Sequence, residues 1–140
     1  MTLPGVALLP AAKKVILPPE FEPARGTTAP PYSPGILIDG TLYISGQIGQ
    51  NLRTKEIPPD FETEVKLCLG NVGIVLRAAA MTYKNVVSVQ IFLTDMDLFA
   101  TMNGVYTKVI AEPRPARTTV GVTKLPSAAA HIEITVTARK

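Results

Sequence analysis

The run Val86–Leu93 (VVSVQIFL) is the feature of this sequence that most limits the folds open to the chain. Its side chains alternate between two sides, and the side that carries Ser88 and Gln90 is the more polar one. A two-residue period of this kind is typical of a β-strand. A helical pattern lies on each side of the run, so the chain must pack strands and helices together in layers.

The first helical pattern follows Asp60. Its apolar residues recur at spacings of three and four and share one stripe. These residues are Phe61, Val65, Cys68, Val72, Val75 and Ala79. The carboxylate of Asp60 can accept the free N–H groups of a first helical turn. We therefore predict a helix that begins at Phe61.

A second helix is predicted after the central strand. Asp95 or Asp97 caps its start, and Pro113 ends it. Its apolar face consists of Phe99, Met102, Tyr106 and Val109. This helix connects the central strand to the last part of the chain.

Four further strands complete the predicted sheet. Ile36–Asp39 and Leu42–Ser45 lie on either side of Asp39-Gly40, the dipeptide that best favours a tight hairpin turn. Thr118–Thr123 and Ile132–Thr137 follow the second helix. This order of elements predicts an α+β fold in which two helices pack on one face of a mixed sheet.

The composition favours one domain that associates with copies of itself. At 140 residues the chain is long enough for one core. We assign residues 13–140 to a single domain and residues 1–12 to a disordered tail. Hydrophobic residues make up 46% of the chain and charged residues 18%, which is more apolar than the surface of a monomer needs. An oligomer is therefore expected.

Charge and cysteine content bear on partners and compartment. The net charge is only +3 and the basic residues are scattered, so no nucleic-acid-binding surface is expected. Cys68 is the only cysteine and has no partner for an intrachain disulfide, which favours a reducing compartment. The sequence has neither the pattern of a signal peptide nor a membrane-spanning run. We therefore expect a cytoplasmic protein.

Several kinds of catalytic site are disfavoured by the residues present. His131 is the only histidine, and no cluster of Cys, His or carboxylate residues has the spacing of metal ligands. A catalytic triad would depend on His131 alone. Ser45–Gly49 follows a strand but lacks the lysine and the helix of a phosphate-binding loop. Neither a metal site nor a nucleotide site is predicted.

Two charged residues on predicted strands are candidates for chemistry. Arg117 lies among stiff neighbours, and its planar guanidinium matches a carboxylate with two donors. Glu133 alternates with the apolar Ile132 and Ile134, so it lies on the other side of its strand. If that side lines a cleft, Glu133 is able to orient a water or move a proton. From the residues alone, a solvated surface position is the more common situation for both.

Six ordered segments of the chain resemble one protein family. They are Pro30–Gly35, Leu42–Ile48, Val89–Met96, Asn103–Tyr106, Pro115–Val120 and Ile132–Ile134. In order and spacing they are similar to the Rid family of enamine/imine deaminases, which was long labelled L-PSP endoribonuclease or translation inhibitor. The resemblance covers residues 13–138.

The resemblance implies a chorismate-mutase-like α+β domain that assembles as a homotrimer, with a cleft between each pair of neighbouring subunits. It implies that Arg117 binds the substrate carboxylate and that Glu133 acts in catalysis. The other substrate-binding residues that it implies are Tyr32, Ser45, Gly46, Asn103 and Thr119.

The implied reaction is the hydrolysis of 2-aminoacrylate, 2-aminocrotonate and their imine tautomers to 2-keto acids and ammonia, without a cofactor. The chain departs from the family pattern at Pro34, Thr119 and Thr135, which bears on substrate preference. Two alternatives stay open: a trimer that binds small carboxylates without catalysis, and an endoribonuclease, as the older label suggests. The endoribonuclease lacks support from a pair of acid and base histidines or a basic groove.

Overall fold

A computed structural model describes residues 1, 5, 9 and 11–140 of the chain. Within them the elements follow in the order β1 (Lys14–Ile16), β2 (Gly35–Ile38), β3 (Thr41–Ile48), α1 (Phe61–Ala78), β4 (Val86–Leu93), α2 (Phe99–Val109), β5 (Ala116–Gly121) and β6 (Ile132–Arg139). The predicted α+β class is confirmed. Neither of these helices is both long and apolar enough to cross a membrane. Most of the predicted tail at residues 1–12 lies outside the described residues.

The strands form one mixed sheet in the order β1-β2-β3-β6-β4-β5. β4 and β5 are parallel and are connected through α2, whereas the other neighbouring strands are antiparallel. A parallel pair needs such a crossover because both of its strands start at the same edge of the sheet. α1 contacts β3, β6 and α2, so both helices pack on one face, as predicted.

Asp39 and Gly40 form the turn between β2 and β3. Their φ angles are 48° and 75°, so both residues adopt the left-handed conformation that a two-residue hairpin turn needs. Ile38 pairs with Thr41 directly across this turn. The predicted hairpin is confirmed. Its register directs Leu42, the next residue of β3, into the core.

α1 begins at Phe61, as predicted. Asp60 caps it, since its carboxylate accepts a 2.9 Å hydrogen bond from the backbone N–H of Thr63. The predicted apolar stripe of the helix faces the sheet, and its residues Val65 and Val72 are buried. The spacing that predicts the helix therefore also builds the core, because one stripe of α1 is covered by strands.

The boundaries of α2 differ from the prediction. Asp95 accepts the backbone N–H of Asp97 and thereby caps a short 3-10 turn, Met96–Leu98, that leads into α2. The α-helix itself has no side-chain cap. It ends at Val109, ahead of Pro113, because the next residue is already extended, with φ −100° and ψ 102°. The prediction of a side-chain cap directly on α2 is therefore wrong.

The outer strands also differ from the prediction. β5 lies two residues earlier than predicted, because its parallel pairing with β4 starts at Ala116 opposite Ser88. β6 continues to Arg139, beyond the predicted end at Thr137. The sequence does not predict β1, since a strand of three residues is too short to carry a periodic pattern.

The face of the sheet opposite the helices keeps apolar side chains accessible. Glu133 and Thr135 alternate along β6 with buried residues and therefore lie on this open face. Tyr43 of β3 and Val120 of β5 lie there as well, with 53% and 41% of their surface exposed. These side chains leave apolar surface on the face of the sheet that the helices do not cover.

Candidate functional site

Arg117 lies near the start of β5, and its side chain is directed towards α2. Its partner in register on β4 is Val89, which is buried on the helix side of the sheet. The guanidinium carbon, Cζ, lies 4.7 Å from the ring centroid of Tyr106 and 5.8 Å from that of Phe99. Contacts between a guanidinium and aromatic faces are attractive. The rings of α2 therefore stabilise the observed position of the Arg117 guanidinium.

Arg117 lines a cavity of about 430 Å³, which we call the Arg117 cavity. The other lining residues come from α2 and from the segment before β5: Asn103, Tyr106, Thr107, Arg114 and Pro115. Among the described residues, an ion pair joins Arg114 to Glu112 and a short contact joins the His131 ring to the Glu64 carboxyl group, and neither involves Arg117. The Arg117 guanidinium is thus available to an external carboxylate.

Two hydroxyl groups on the Arg117 side of the sheet are buried without a hydrogen-bond partner among the described residues. They belong to Tyr106 and Thr119. Burial raises the pKa of the Tyr106 phenol, and the positive charges of Arg117 and Arg114 oppose this rise. Thr119 follows Arg117 by two residues and so lies on the same side of β5. Both hydroxyls therefore keep unused hydrogen-bonding capacity on the face of the sheet that carries Arg117.

Glu133 lies on β6, and its carboxylate lies over Gly46 of β3. A Cβ atom at Gly46 would overlap Oε1 of Glu133, so the observed position of this carboxylate requires a glycine there. Burial raises the pKa of the Glu133 carboxyl group above its usual range. A raised pKa brings a carboxylate closer to the value that suits a general base near neutral pH.

Glu133 and Gly46 line a second cavity, of about 1250 Å³, which we call the Glu133 cavity. Tyr32 lines it too, and its side chain is 63% exposed. Ser45 lies behind this region. Its hydroxyl donates a 2.6 Å hydrogen bond to the backbone carbonyl of Ser33, and its backbone N–H donates a 3.0 Å hydrogen bond to the backbone carbonyl of Pro34. Ser45 therefore fixes the backbone that follows Tyr32, without lining the cavity itself.

Arg117 and Glu133 lie on opposite faces of the sheet. Arg117 pairs in register with a residue of the helix face, whereas Glu133 alternates with the residues that fill that face. One chain therefore brings the predicted site residues together in two groups. Arg117, Asn103 and Thr119 form the group on the helix face, and Glu133, Gly46, Ser45 and Tyr32 form the group around the Glu133 cavity.

Sequence reasoning misses the second role of Tyr106 and Phe99. Their spacing predicts only that they share the apolar face of α2. The crossover from β4 through α2 to β5 turns this face towards Arg117. Tyr106 and Phe99 could be recognised as partners of the Arg117 guanidinium only if the parallel pairing of β4 with β5 were known.

Glu64 and His131 form a contact that the sequence does not predict. The Glu64 side chain, which is 1% exposed, accepts a 2.7 Å hydrogen bond from the backbone N–H of His131 and lies 2.9 Å from ring atom Nδ1. This contact joins α1 to the residue before β6, two positions ahead of Glu133. Among the described residues, no group of His, Cys and carboxylate side chains is suited to hold a metal ion.

Comparison with known proteins identifies the family. Residues 23–140 match the family described as Endoribonuclease L-PSP. The 2-iminobutanoate/2-iminopropanoate deaminase of Bos taurus is 38% identical over 97 residues, which are 69% of this chain and 71% of that protein. Mitochondrial protein mmf1 of Schizosaccharomyces pombe is 37% identical over 110 residues, 79% of this chain and 67% of that protein. The crystal structure of the Rid protein YyfA from Yersinia pestis has a TM-score of 0.82 and 34% identity, covering 92% of this chain and 100% of that one. The chain therefore belongs to the Rid family, also called the L-PSP endoribonuclease family.

Proposed function

We propose that this protein hydrolyses 2-imino acids and their enamine tautomers to 2-keto acids and ammonia. The observation that carries the proposal is the Arg117 guanidinium, which lines a cavity, lies against two aromatic rings and has no carboxylate partner among the described residues. Such a group binds the carboxylate of a small acid through two parallel hydrogen bonds. The similarity to 2-iminobutanoate/2-iminopropanoate deaminases supports this chemistry.

The complete site, in this proposal, lies between two copies of the chain in a homotrimer. Arg117 and Glu133 occupy opposite faces of one sheet, so one small substrate reaches both only if they come from different copies. The accessible side chains of Tyr43 and Val120 on the open face support an interface there. In a cyclic trimer the same two unlike surfaces meet at each interface, and the assembly closes on itself.

Arg117 binds the substrate carboxylate, and Glu133 transfers the proton. Water adds to C2 of the protonated imine and gives a proton to Glu133, which leaves a neutral carbinolamine. Glu133 then passes this proton to the amine nitrogen and the C–N bond breaks. Ammonia leaves while the hydroxyl group gives its proton to the Glu133 carboxylate and becomes the keto oxygen. Glu133 passes this proton to the departing ammonia, so the carboxylate is restored and the nitrogen leaves as ammonium. The raised pKa of the Glu133 carboxyl group suits it to these transfers.

The remaining site residues have supporting roles. Tyr32 limits the access of bulk water, Gly46 leaves room for the catalytic carboxylate, and Ser45 holds the nearby backbone. On the other face, Asn103 lines the Arg117 cavity together with the guanidinium, and Thr119 supplies a buried hydroxyl two residues further along β5. No cofactor is required in this scheme, because imines already hydrolyse in water and the site needs only to orient the reactants and move protons.

The test generates 2-aminoacrylate in situ and follows keto-acid formation with and without the protein. We expect the rate to increase in proportion to protein concentration. Binding of 2-oxobutyrate without any rate increase would instead indicate a carboxylate-binding trimer that does no chemistry. RNA degradation by the same preparation, with no effect on the imine, would indicate the endoribonuclease.

A cytoplasmic location is part of the proposal. Cys68 is buried and free, which is compatible with a reducing compartment. A relative from fission yeast is named as mitochondrial. Microscopy of the tagged full-length protein distinguishes the two compartments.

A further inference from the structure

Arg114 is a second guanidinium in the Arg117 cavity. Its Nε donates a 3.2 Å hydrogen bond to the backbone carbonyl of Ile110, just after α2. Its Nη1 lies 2.8 Å from a carboxylate oxygen of Glu112. The charges of Arg114 and Arg117 both lower the pKa of the buried Tyr106 hydroxyl, against the effect of burial. The two guanidinium groups therefore act on the same small space.

Glu112 is a weak competitor for Arg114. The side chains of Arg114 and Glu112 are 38% and 79% exposed, so water screens their attraction. A carboxylate of a bound ligand is therefore able to take the place of Glu112 on Nη1, while Glu112 turns into solvent. The contact with Ile110 is independent of Glu112 and keeps the Arg114 guanidinium at the cavity in either case.

We propose that Arg114 selects substrates with a second carboxylate, namely dicarboxylic 2-imino acids such as 2-iminosuccinate and 2-iminoglutarate. The inference rests on the proposed function, in which Arg117 binds the carboxylate next to the imine carbon. The carboxylate at the far end of the substrate then binds Arg114. The two arginines are three residues apart, at most about 10 Å between their Cα atoms, and their long side chains reach into the space that a four- or five-carbon diacid fills.

This selectivity predicts which class of reaction supplies the substrate and which product is released. A dicarboxylic 2-imino acid arises when an acidic 2-amino acid loses two electrons and two protons across its C2–N bond. The enzyme that supplies the substrate is thus an oxidase or dehydrogenase that acts on acidic amino acids. The product of hydrolysis is a 2-oxo diacid and ammonia.

The test compares the binding of 2-oxoglutarate and 2-oxobutyrate to the full-length protein by calorimetric titration. We expect the wild type to bind 2-oxoglutarate about 5-fold more tightly. Arg114→Gln should remove this preference, whereas Glu112→Gln, which frees Arg114, should increase it by about 2-fold to 5-fold. Arg77→Gln removes one positive charge from the exposed side of α1 and is the matched control; it should keep the wild-type preference.

Circular dichroism and particle mass check that each variant folds and assembles. Because Glu112→Gln should gain affinity, the test remains decisive even if Arg114→Gln fails to fold. Three results would overturn the inference: a wild type without preference for the diacid, a Glu112→Gln variant without a gain, or an equal change in Arg77→Gln. Turnover of 2-iminopropanoate by the wild type is measured separately and decides the proposed function, so the two failures are distinguishable.

Discussion

The Arg117 guanidinium lies against the rings of Tyr106 and Phe99, and these contacts favour the orientation in which its donors line the Arg117 cavity. We predict that Arg117→Lys weakens the binding of 2-oxobutyrate nearly as much as Arg117→Ala, by about 10-fold to 150-fold. Lysine keeps the charge but presents a hydrated point charge on a flexible stem, without a planar pair of donors. Calorimetric titration of the three proteins measures the effect.

The control for this prediction is Arg77→Lys, an equivalent substitution at an exposed position of α1. It should bind 2-oxobutyrate as the wild type does. Particle mass is checked for each variant, since a lost interface would also weaken binding. If Arg117→Lys assembles normally and binds the keto acid as tightly as the wild type, the planar guanidinium of Arg117 is not what recognises the carboxylate.

Glu133→Gln should lower turnover of 2-iminopropanoate by about 100-fold or more, because the amide keeps the shape of the side chain but does not accept a proton. The wild-type kcat/KM should fall as the pH decreases through the raised pKa of Glu133, above the usual value of about 4.3. The kcat/KM of the Glu133→Gln variant should not show this decrease at low pH. Rate profiles against pH for both proteins measure it, and unchanged turnover with chemistry rate-limiting would contradict the role of Glu133.

Glu133→Gln should lower turnover but raise the stability of the folded protein at neutral pH. Burial raises the pKa of Glu133 in the folded chain, so the folded state holds this proton more tightly than the unfolded state. The extra free energy of unfolding that comes from this tighter proton binding is fully present below the pKa of Glu133 in the unfolded chain, about 4.3. It is lost as the pH rises through the higher pKa of Glu133 in the folded chain. Glutamine does not ionise, so the variant should have a higher Tm than the wild type at neutral pH and no such advantage in acid. Scanning calorimetry at both pH values tests the sign.

At the residue scale, the sequence predicts the side of a strand on which a residue lies only where the alternation is clear. Arg117 and Glu133 are both indicated by the family resemblance, and the alternation in the last strand correctly directs Glu133 away from the core. The face on which Arg117 lies is not predictable in the same way. That face depends on the register between the parallel strands β4 and β5. A tight turn between two strands defines their register, but a crossover helix such as α2 does not.

At the element scale, the close approach of β3 and β6 at Gly46 controls the position of the Glu133 carboxylate. We predict that Gly46→Ala lowers turnover strongly, since its Cβ must displace that carboxylate. Gly70→Ala is the matched control, because a Cβ at this position of α1 meets nothing within 4 Å. The control should keep its activity and gain about 0.5–1 kcal/mol of stability from a better helix residue.

Steady-state rates and urea unfolding of both alanine variants separate the two effects. A Gly46→Ala protein that folds, assembles and turns over like the wild type would mean that the position of the Glu133 carboxylate is unimportant. A loss of assembly in Gly46→Ala alone would assign the close approach to the interface and not to proton transfer.

Elements with a strong period are predicted well from this sequence. β4 has the predicted bounds, and α1 starts at the predicted residue because Asp60 provides a local cap. The start of α2 is shifted by a 3-10 turn, which has no distinct periodicity. The contact between Glu64 and His131 is also unpredictable, since it joins residues that are far apart in the chain and depends on how α1 packs beside β6.

At the scale of the whole molecule, the two faces of the sheet differ in kind. The helices cover one face, while the open face, which carries Glu133, keeps Tyr43 and Val120 accessible. The apolar composition predicts an oligomer, and we propose that the open face takes part in its interface. Light scattering should give a particle of about three times the 15.0 kDa chain mass. A monomer at micromolar concentration would contradict the proposed site, because one chain keeps Arg117 and Glu133 apart.

Mixing two inactive variants tests the shared site directly. In the proposed site, Arg117→Ala lacks the carboxylate-binding group and Glu133→Gln lacks the base, so each pure variant should be nearly inactive. If subunits exchange at random in an equal mixture, about one quarter of the interfaces pair an intact Arg117 from one copy with an intact Glu133 from its neighbour. The mixture should therefore regain about a quarter of the wild-type turnover.

The double variant mixed with Arg117→Ala is the control and restores no complete interface. Mass spectrometry first establishes that mixed trimers have formed. Mixed trimers without recovered activity would mean that the two groups do not act on one substrate across an interface, because complementation is possible only when different copies supply them.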